Sequence, residues 1–351
     1  MRKKKFFIFG VLMVLLVSAL LIFTGCPSSE SIGHIAKYIY MTDTYNGRVY
    51  TYDLDTHTAS STPIVSTGQN ATGAIYFYDD KGYICVGYST GGIYTFDPNS
   101  TSPTTTKFSS LSFSAQYIAF LNDKTAFTTD YGEWDKPTET GGVYLFDPSD
   151  SNSSFTFITG TIGTSQDIKI YGGKVYVASY GNNKLLVIDA NKNYSITSYD
   201  IPLGTNTTGL AISSDETKIY ISNTGTYGNT DGTISVFDIY KNTIETFVSG
   251  LINPTLMAAT DTYLYVIGYS NTYAINISTK AISELKTSDG SSFGGSSILI
   301  HDNLLYISNF DYNNKISKLY IYDTSTNKQV YYSPISVGKD GEDGITGLAA
   351  Y

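Results

Sequence analysis

Seven times along the chain, an apolar strand is followed by a polar tip and then by an alternating strand that closes on an acid. The plainest copy is "KVYVASYGNNKLLVIDANKN", Lys174 to Asn193, in which both strands are rich in β-branched and aromatic side chains. Before it stand "YIYMTDTYNGRVYTYDLDT", "GYICVGYSTGGIYTFDPNS" and "TAFTTDYGEWDKPTETGGVYLFDPSD". After it come "KIYISNTGTYGNTDGTISVFDIYKN", "YLYVIGYSNTYAINISTK" and "LLYISNFDYNNKISKLYIYDTSTNK". The closing acid recurs at Asp53, Asp97, Asp147, Asp189, Asp238 and Asp323, with Asn276 once, at intervals of 38 to 50 residues. No segment beyond the N-terminus carries the 3.6-residue period of an amphipathic helix.

A period in the forties that carries about four strands is the size of one β-propeller blade. In the fifth repeat "TGLAIS" reads as inner strand A, "KIYISN" as B, "TISVFD" as C and "IETFVS" as outer strand D. Alternation in strand C sets Ile234 and Val236 on one face and Ser235 and Phe237 on the other. The first repeat starts at strand B, "KYIYMTD", whereas the last residues, "GITGLAAY", supply a strand A with nothing after it. Joined, they complete one blade and close a seven-bladed ring, which removes the open edges of an array. The fold expected is all-β, a seven-bladed β-propeller over residues 37–351 closed by its two ends. These strings resemble the YVTN-type propeller repeat, with "YVASYGNNKLLVID" and "YISNTGTYGNTDGTISVFD" the nearest forms. That resemblance implies the fold and says little about function.

Residues 1–26, "MRKKKFFIFGVLMVLLVSALLIFTGC", have a basic start and a long apolar run from Phe6 to Phe23. The run alone fits a secretory signal or an uncleaved membrane anchor. Its ending, "IFTGC", resembles the lipobox of bacterial lipoproteins, with Phe23 where Leu is usual. The resemblance implies lipidation of Cys26, a polar leash over 27–36, and a membrane-anchored protein of the cell envelope facing the periplasm or the exterior. Cys85 is the one other cysteine, so with Cys26 lipidated no intramolecular disulfide is available, and a buried thiol is expected.

The formal charge is −9 although Arg2, Lys3, Lys4 and Lys5 stand at the start, so the repeats are more acidic still. Nucleic acid is thereby excluded as a natural partner. The recurring acids after strand C sit in turn sequences such as "DPNS" and "DTST", where a carboxylate accepts backbone N–H bonds. Only three histidines occur, His34, His57 and His301, and none falls on the rim formed by B–C and D–A loops. A Ser-His-Asp arrangement or histidine metal site is not expected, and no cofactor is implied. In "KDGEDG" the acids Asp340, Glu342 and Asp343 lack EF-hand spacing and read as a solvated loop, with weak cation binding the alternative.

The B–C connections of repeats three, five and seven are extended, and they carry Tyr131, Trp134, Tyr227, Phe310 and Tyr312. Long loops on a rigid scaffold concentrate binding residues, and aromatics make good anchors. This rim is therefore the expected ligand face, for an envelope protein, peptide or glycan. Residues at the presumed starts of strand A, namely Gln69, Asn70, Gln116, Gln166, Asn206 and Asn253, predict a polar, uncharged channel with little acid–base power. The rival readings are a propeller enzyme of lactonase or quinone-dependent dehydrogenase type and a purely structural surface component.

Overall fold

The computed structural model describes residues 35–87, 90–109, 112–132, 141–160, 165–311, 316–338 and 342–351, the side chains of Ser165 and Gln166 excepted. The described strands form seven antiparallel sheets, each ordered from an inner strand A to an outer strand D. Strand B is the most deeply placed: in Tyr38–Asp43, Lys174–Ser179 and Tyr263–Gly268, every residue after the first is buried. Its neighbours cover it on both faces, so both faces are apolar. The outer strand is the reverse, and in Ser195–Asp200 nearly every residue is exposed.

The alternation anticipated in strand C of blade five, Gly232–Asp238, is present. Ile234 and Val236 pack with Met257, Leu264 and Val266 of blade six, whereas Phe237 packs with Tyr176 and Leu185 of blade four. The repeating tyrosines Tyr40, Tyr176, Tyr220, Tyr265 and Tyr306 are all buried, and each contributes about 2–3 kcal/mol of burial. Cys85 is fully buried, and that burial pushes its thiol well above the usual range, as expected of an inert core group.

The acids that close strand C cap turns. Asp53 accepts from the N–H groups of Asp55 and Thr56, Asp189 from Asn191, and Asp238 from Tyr240 and Lys241. Asn276 does the same for Ser278 and Thr279. Backbone N–H bonds hold Asp53 and Asp238 below the ordinary carboxylate range, and the Ser149 and Ser325 hydroxyls do so for Asp147 and Asp323.

Neighbouring blades are tied by strand-B hydroxyls. Thr42 Oγ1 donates to Gly73 O at 2.5 Å, and Ser222 Oγ donates to Thr255 O. Such contact requires glycine opposite: a Cβ on Gly209 would meet Thr255 O at 2.2 Å, and one on Gly347 would meet Gly73 O at 2.4 Å. The "TTGL" of blade five and the "ITGL" of blade one thus carry glycine for the same steric reason.

The ring closes as the split repeat implied. Strand A of blade one is Ile345–Ala350, paired antiparallel with Tyr38–Asp43 so that Ala349 faces Tyr40 and Ala350 faces Ile39. The outer strand of that blade is interrupted, Thr58–Ala59 followed by Val65–Ser66.

Candidate functional site

All seven A strands border one axial cavity of about 610 Å³, with Ile75, Gln116, Asp167, Ala211, Met257, Ser297 and Leu348 each coming from a different blade. In six of the blades the A–B ladder shifts register near the start of strand A, as between Thr207 and Leu210 or between Ser165 and Ile168. Such bulges re-aim side chains that a regular strand would direct into the sheet.

The channel corrects one expectation. It is not uncharged, because the bulge of blade four carries Asp167, which is buried. Its Oδ1 accepts from Ile168 N at 2.8 Å and from Lys169 Nζ at 2.9 Å, while Oδ2 accepts Leu210 N of blade five at 2.9 Å. Three donors hold this carboxylate as a tie between two blades. Tyr76 and Tyr117 line the same cavity, and burial drives both phenols well above their usual range.

Of the expected channel amides, Gln116 borders the cavity; Gln69, Asn70, Asn206 and Asn253 do not. Asn206 and Asn253 adopt positive φ, 60° and 42°, at the turn into strand A. Their side chains reach across to the B–C loop instead. Asn206 Nδ2 donates to Gly225 O at 3.1 Å, and Asn253 Nδ2 donates to Thr224 O and Thr226 O at 3.1 and 3.0 Å. Asn253 Oδ1 also accepts Gly228 N at 2.7 Å. These amides therefore shape the extended loop that carries Tyr227. The side chain of Gln166 lies outside the described residues, as do Cys26, Trp134, Tyr312 and Asp340.

At the rim, Tyr227 is 69% exposed and its ring meets that of Tyr269, 62% exposed, at 5.0 Å. Phe310 meets Tyr45 at 5.5 Å. Tyr131 is half-buried beside Tyr180, and burial first, then that neighbour, raises its phenol. The partners Tyr45, Tyr180 and Tyr269 escaped the reading by loop length, since they lie in short B–C turns. A recurring neighbourhood would have found them: an aromatic stands near the end of strand B in every repeat, Tyr45, Tyr88, Tyr131, Tyr180, Tyr227 and Tyr269 past the strand and Phe310 among its last residues.

The ends of strand B brace these loops. Asp130 accepts Ser114 N and Gly132 N at 3.0 and 2.9 Å, and burial raises its carboxyl. Asn223 Nδ2 donates to Thr233 and Ser235 at 3.0 and 3.2 Å. In blade one the place belongs to Asp43, which accepts Gly344 N at 2.7 Å, Asn46 N at 2.9 Å and Tyr45 N at 3.0 Å.

The acidic loop is a second correction. Glu342 is exposed, but Asp343 is buried and accepts from Arg48 Nη1 at 3.0 Å, Tyr50 Oη at 2.9 Å and Asn46 Nδ2 at 3.3 Å. Its place at the closure of blade one explains the burial. Among the described residues no three of His, Cys, Asp and Glu come together as a metal site. His57 stacks on Tyr332 at 4.0 Å and bonds Tyr52 Oη, away from the rim.

Neither family models nor curated protein sequences give a match to this chain. Solved structures do match. A putative 6-phosphogluconolactonase from Bacteroides uniformis is 13% identical with a TM-score of 0.66, over 90% of this chain and 100% of the other. A functionally unknown protein from Desulfotomaculum acetoxidans is 14% identical with a TM-score of 0.64, over 90% and 99%. A quinonprotein alcohol dehydrogenase-like protein from Bacteroides thetaiotaomicron is 14% identical with a TM-score of 0.63, over 90% and 78%. At such identities the likeness establishes the propeller fold alone.

Proposed function

We propose that this chain is a lipid-anchored propeller of the YVTN type, displayed outside the cytoplasm, that binds its ligand on the B–C rim without catalysis. One observation carries the reading: an aromatic residue recurs at or just past the end of strand B in all seven repeats, and the described ones stand at one rim. Tyrosine offers a broad, stiff contact surface at low entropic cost, which suits a binding face.

The tether fits this orientation. The chain enters the wheel at Tyr38, the start of a B strand, so it arrives on the rim of the A–B turns. Lipid on Cys26 holds that rim toward the membrane through a leash of ten residues, at most about 3.5 Å each. The aromatic rim then faces outward, to an envelope protein, peptide or glycan.

A second reading, an enzyme working in the channel, draws support from Asp167 and Lys169 and from neighbours named as a putative lactonase and dehydrogenase-like. Against it stands the use of Asp167 as an inter-blade tie, with no histidine among the described residues that border the cavity.

A photo-crosslinking side chain placed at Tyr227 on intact cells tests the rim, with the same group at exposed Lys280 in a C–D turn as the comparison. Adducts are expected from position 227 and not from 280. The reverse pattern would overturn the proposal.

A further inference from the structure

We infer that the axial cavity is a second binding site, separate from the rim, and that it takes a small neutral molecule with an apolar body and a carbonyl-type acceptor on one edge. Its volume of about 610 Å³ lies within the range of small-molecule sites, about 300–1,000 Å³. Its wall is divided. The long polar side chains along strand A come from three consecutive blades: Tyr76 from blade two, Gln116 and Tyr117 from blade three, Asp167 and Lys169 from blade four. The facing wall, from blades six, seven and one, is Leu256, Met257, Ala258, Ile298 and Leu348. Only Ser296, Ser297 and Thr346 break it, short side chains of which Thr346 gives its hydroxyl proton to Thr72 O at 2.9 Å.

What the polar side offers is protons. Asp167 already holds three donors and has little to give a ligand. Lys169 is one-third exposed and gives Asp167 one of its three protons at 2.9 Å; among the described residues no other acceptor takes the remaining two. The Tyr76 and Tyr117 hydroxyls stand near this pair. Burial above all keeps both phenols protonated, the charge of Asp167 adding to the effect, and the Ile118 N–H beside the Tyr76 oxygen leaves that hydroxyl its proton to give. Charge then decides between ligand classes. Asp167, Lys169 and Glu216, the last in an A–B turn, are the ionised groups among the described residues that border the cavity, so its net charge is negative. A carboxylate would enter against that charge, and an ammonium would be set beside Lys169 with Asp167 already engaged. A neutral acceptor meets neither cost, and the aliphatic wall covers its apolar body.

The test is fluorescence titration of the purified chain with three naphthalene probes of like size: a neutral acyl-naphthalene, a naphthalenesulfonate and a naphthyl trimethylammonium. The neutral probe is expected to bind one per chain with blue-shifted emission, about tenfold or more tighter than either ion. Tyr76→Phe with Tyr117→Phe removes two donors with little change of shape. That pair should weaken the neutral probe by about tenfold, whereas 2-ethylnaphthalene, which has no acceptor, binds as before. Ala258→Phe fills the cavity from its apolar side and should abolish binding of both. Equal or tighter binding of a charged probe, or no binding of the neutral one, overturns the inference. So does a neutral probe that loses nothing with the two phenylalanines, or one that still binds to an Ala258→Phe chain with a wild-type melting curve. None of these results bears on the rim, whose own test is crosslinking at position 227.

Discussion

Blade five is one continuous stretch and blade one is assembled from both ends of the chain, yet their inner joints have the same register. Ile345 faces Asp43 as Thr207 faces Asn223, and a bulge follows in each. In blade five the A and B strands are joined covalently by a tight turn, where Asp215 accepts Ser213 Oγ at 2.6 Å and Thr217 N at 3.1 Å. The far end is closed by neutral bonds from Thr207 and Asn223. Blade one has no such turn. Tyr351 O accepts Lys37 N and Tyr38 N at 3.1 and 2.9 Å, its ring stacks on Phe77 at 4.5 Å, and its hydroxyl donates to Asp80 at 2.9 Å. The far end is held by ions, Asp343 with Arg48 and Asp43 with Gly344 N. In blade one the Asp343–Arg48 pair supplies a charge-assisted bond, the stronger kind, where no turn links the two strands. Burial of Asp43 works against its own charge, and continuous blade three also bonds strand A through a carboxylate, Asp130.

The severest way to break this comparison is to delete residues 344–351. Blade one then loses its inner strand, Tyr40 loses its cover of Ala349 and Tyr351, and an unpaired edge opens along Tyr38–Asp43. Loss of the single cooperative melting transition, with aggregation, is the expected result in thermal unfolding. Retention of the wild-type transition would show that the closing strand does not hold the ring.

Closure was legible in the sequence because it depends on counting: a repeat that lacks strand A and a strand A that lacks its repeat. The buried tyrosines and the turn-capping acids were legible for the same reason, since each recurs at a fixed place in the period. Asp167 and Asp343 were not. Each stands at a position where the other repeats carry something else, and its role is set by partners in another blade or near the opposite end of the chain. A strand A regular from its first residue would direct Asn206 and Asn253 into the channel. The left-handed turn before it directs them to the neighbouring loop. The aromatic rim lay between these cases, recurring near the end of each strand B but at unequal distances from it.

Asp343→Ala, compared with Asn223→Ala, measures the two joints directly. Removing Asp343 leaves the buried Tyr50 hydroxyl without this acceptor and Arg48 without its nearer carboxylate. Arg48 is partly exposed, which lowers the cost, so about 2–3 kcal/mol is expected. Asn223→Ala removes neutral bonds and should cost about 1–2 kcal/mol. Urea unfolding with equal slopes would give both values. A smaller cost at position 343 than at 223 would reverse the ranking of the joints.

The finest adjustment is Asp43→Asn, which gives blade one the residue that blade five already has. Burial pushes the Asp43 carboxyl above the ordinary aspartate range; the N–H groups of Gly344, Tyr45 and Asn46 pull it back, and its hydrogen bond with Asp343 pushes it up again. A carboxyl whose folded value is raised contributes most at low pH, and that contribution is lost as the pH rises through the raised value. Asp53, Asp147, Asp238 and Asp323 act in the opposite sense, since their values are lowered and their contribution disappears as the pH falls. Asparagine keeps an oxygen for the N–H donors and adds a donor toward Asp343, without a second buried charge. The variant should gain about 1 kcal/mol over the parent near neutral pH, the gain shrinking to nothing toward about pH 4. Unfolding free energies measured across that range decide it: a loss at neutral pH, or a difference that does not change with pH, would mean that two ionised carboxylates are tolerated at this joint as readily as the neutral amide of blade five.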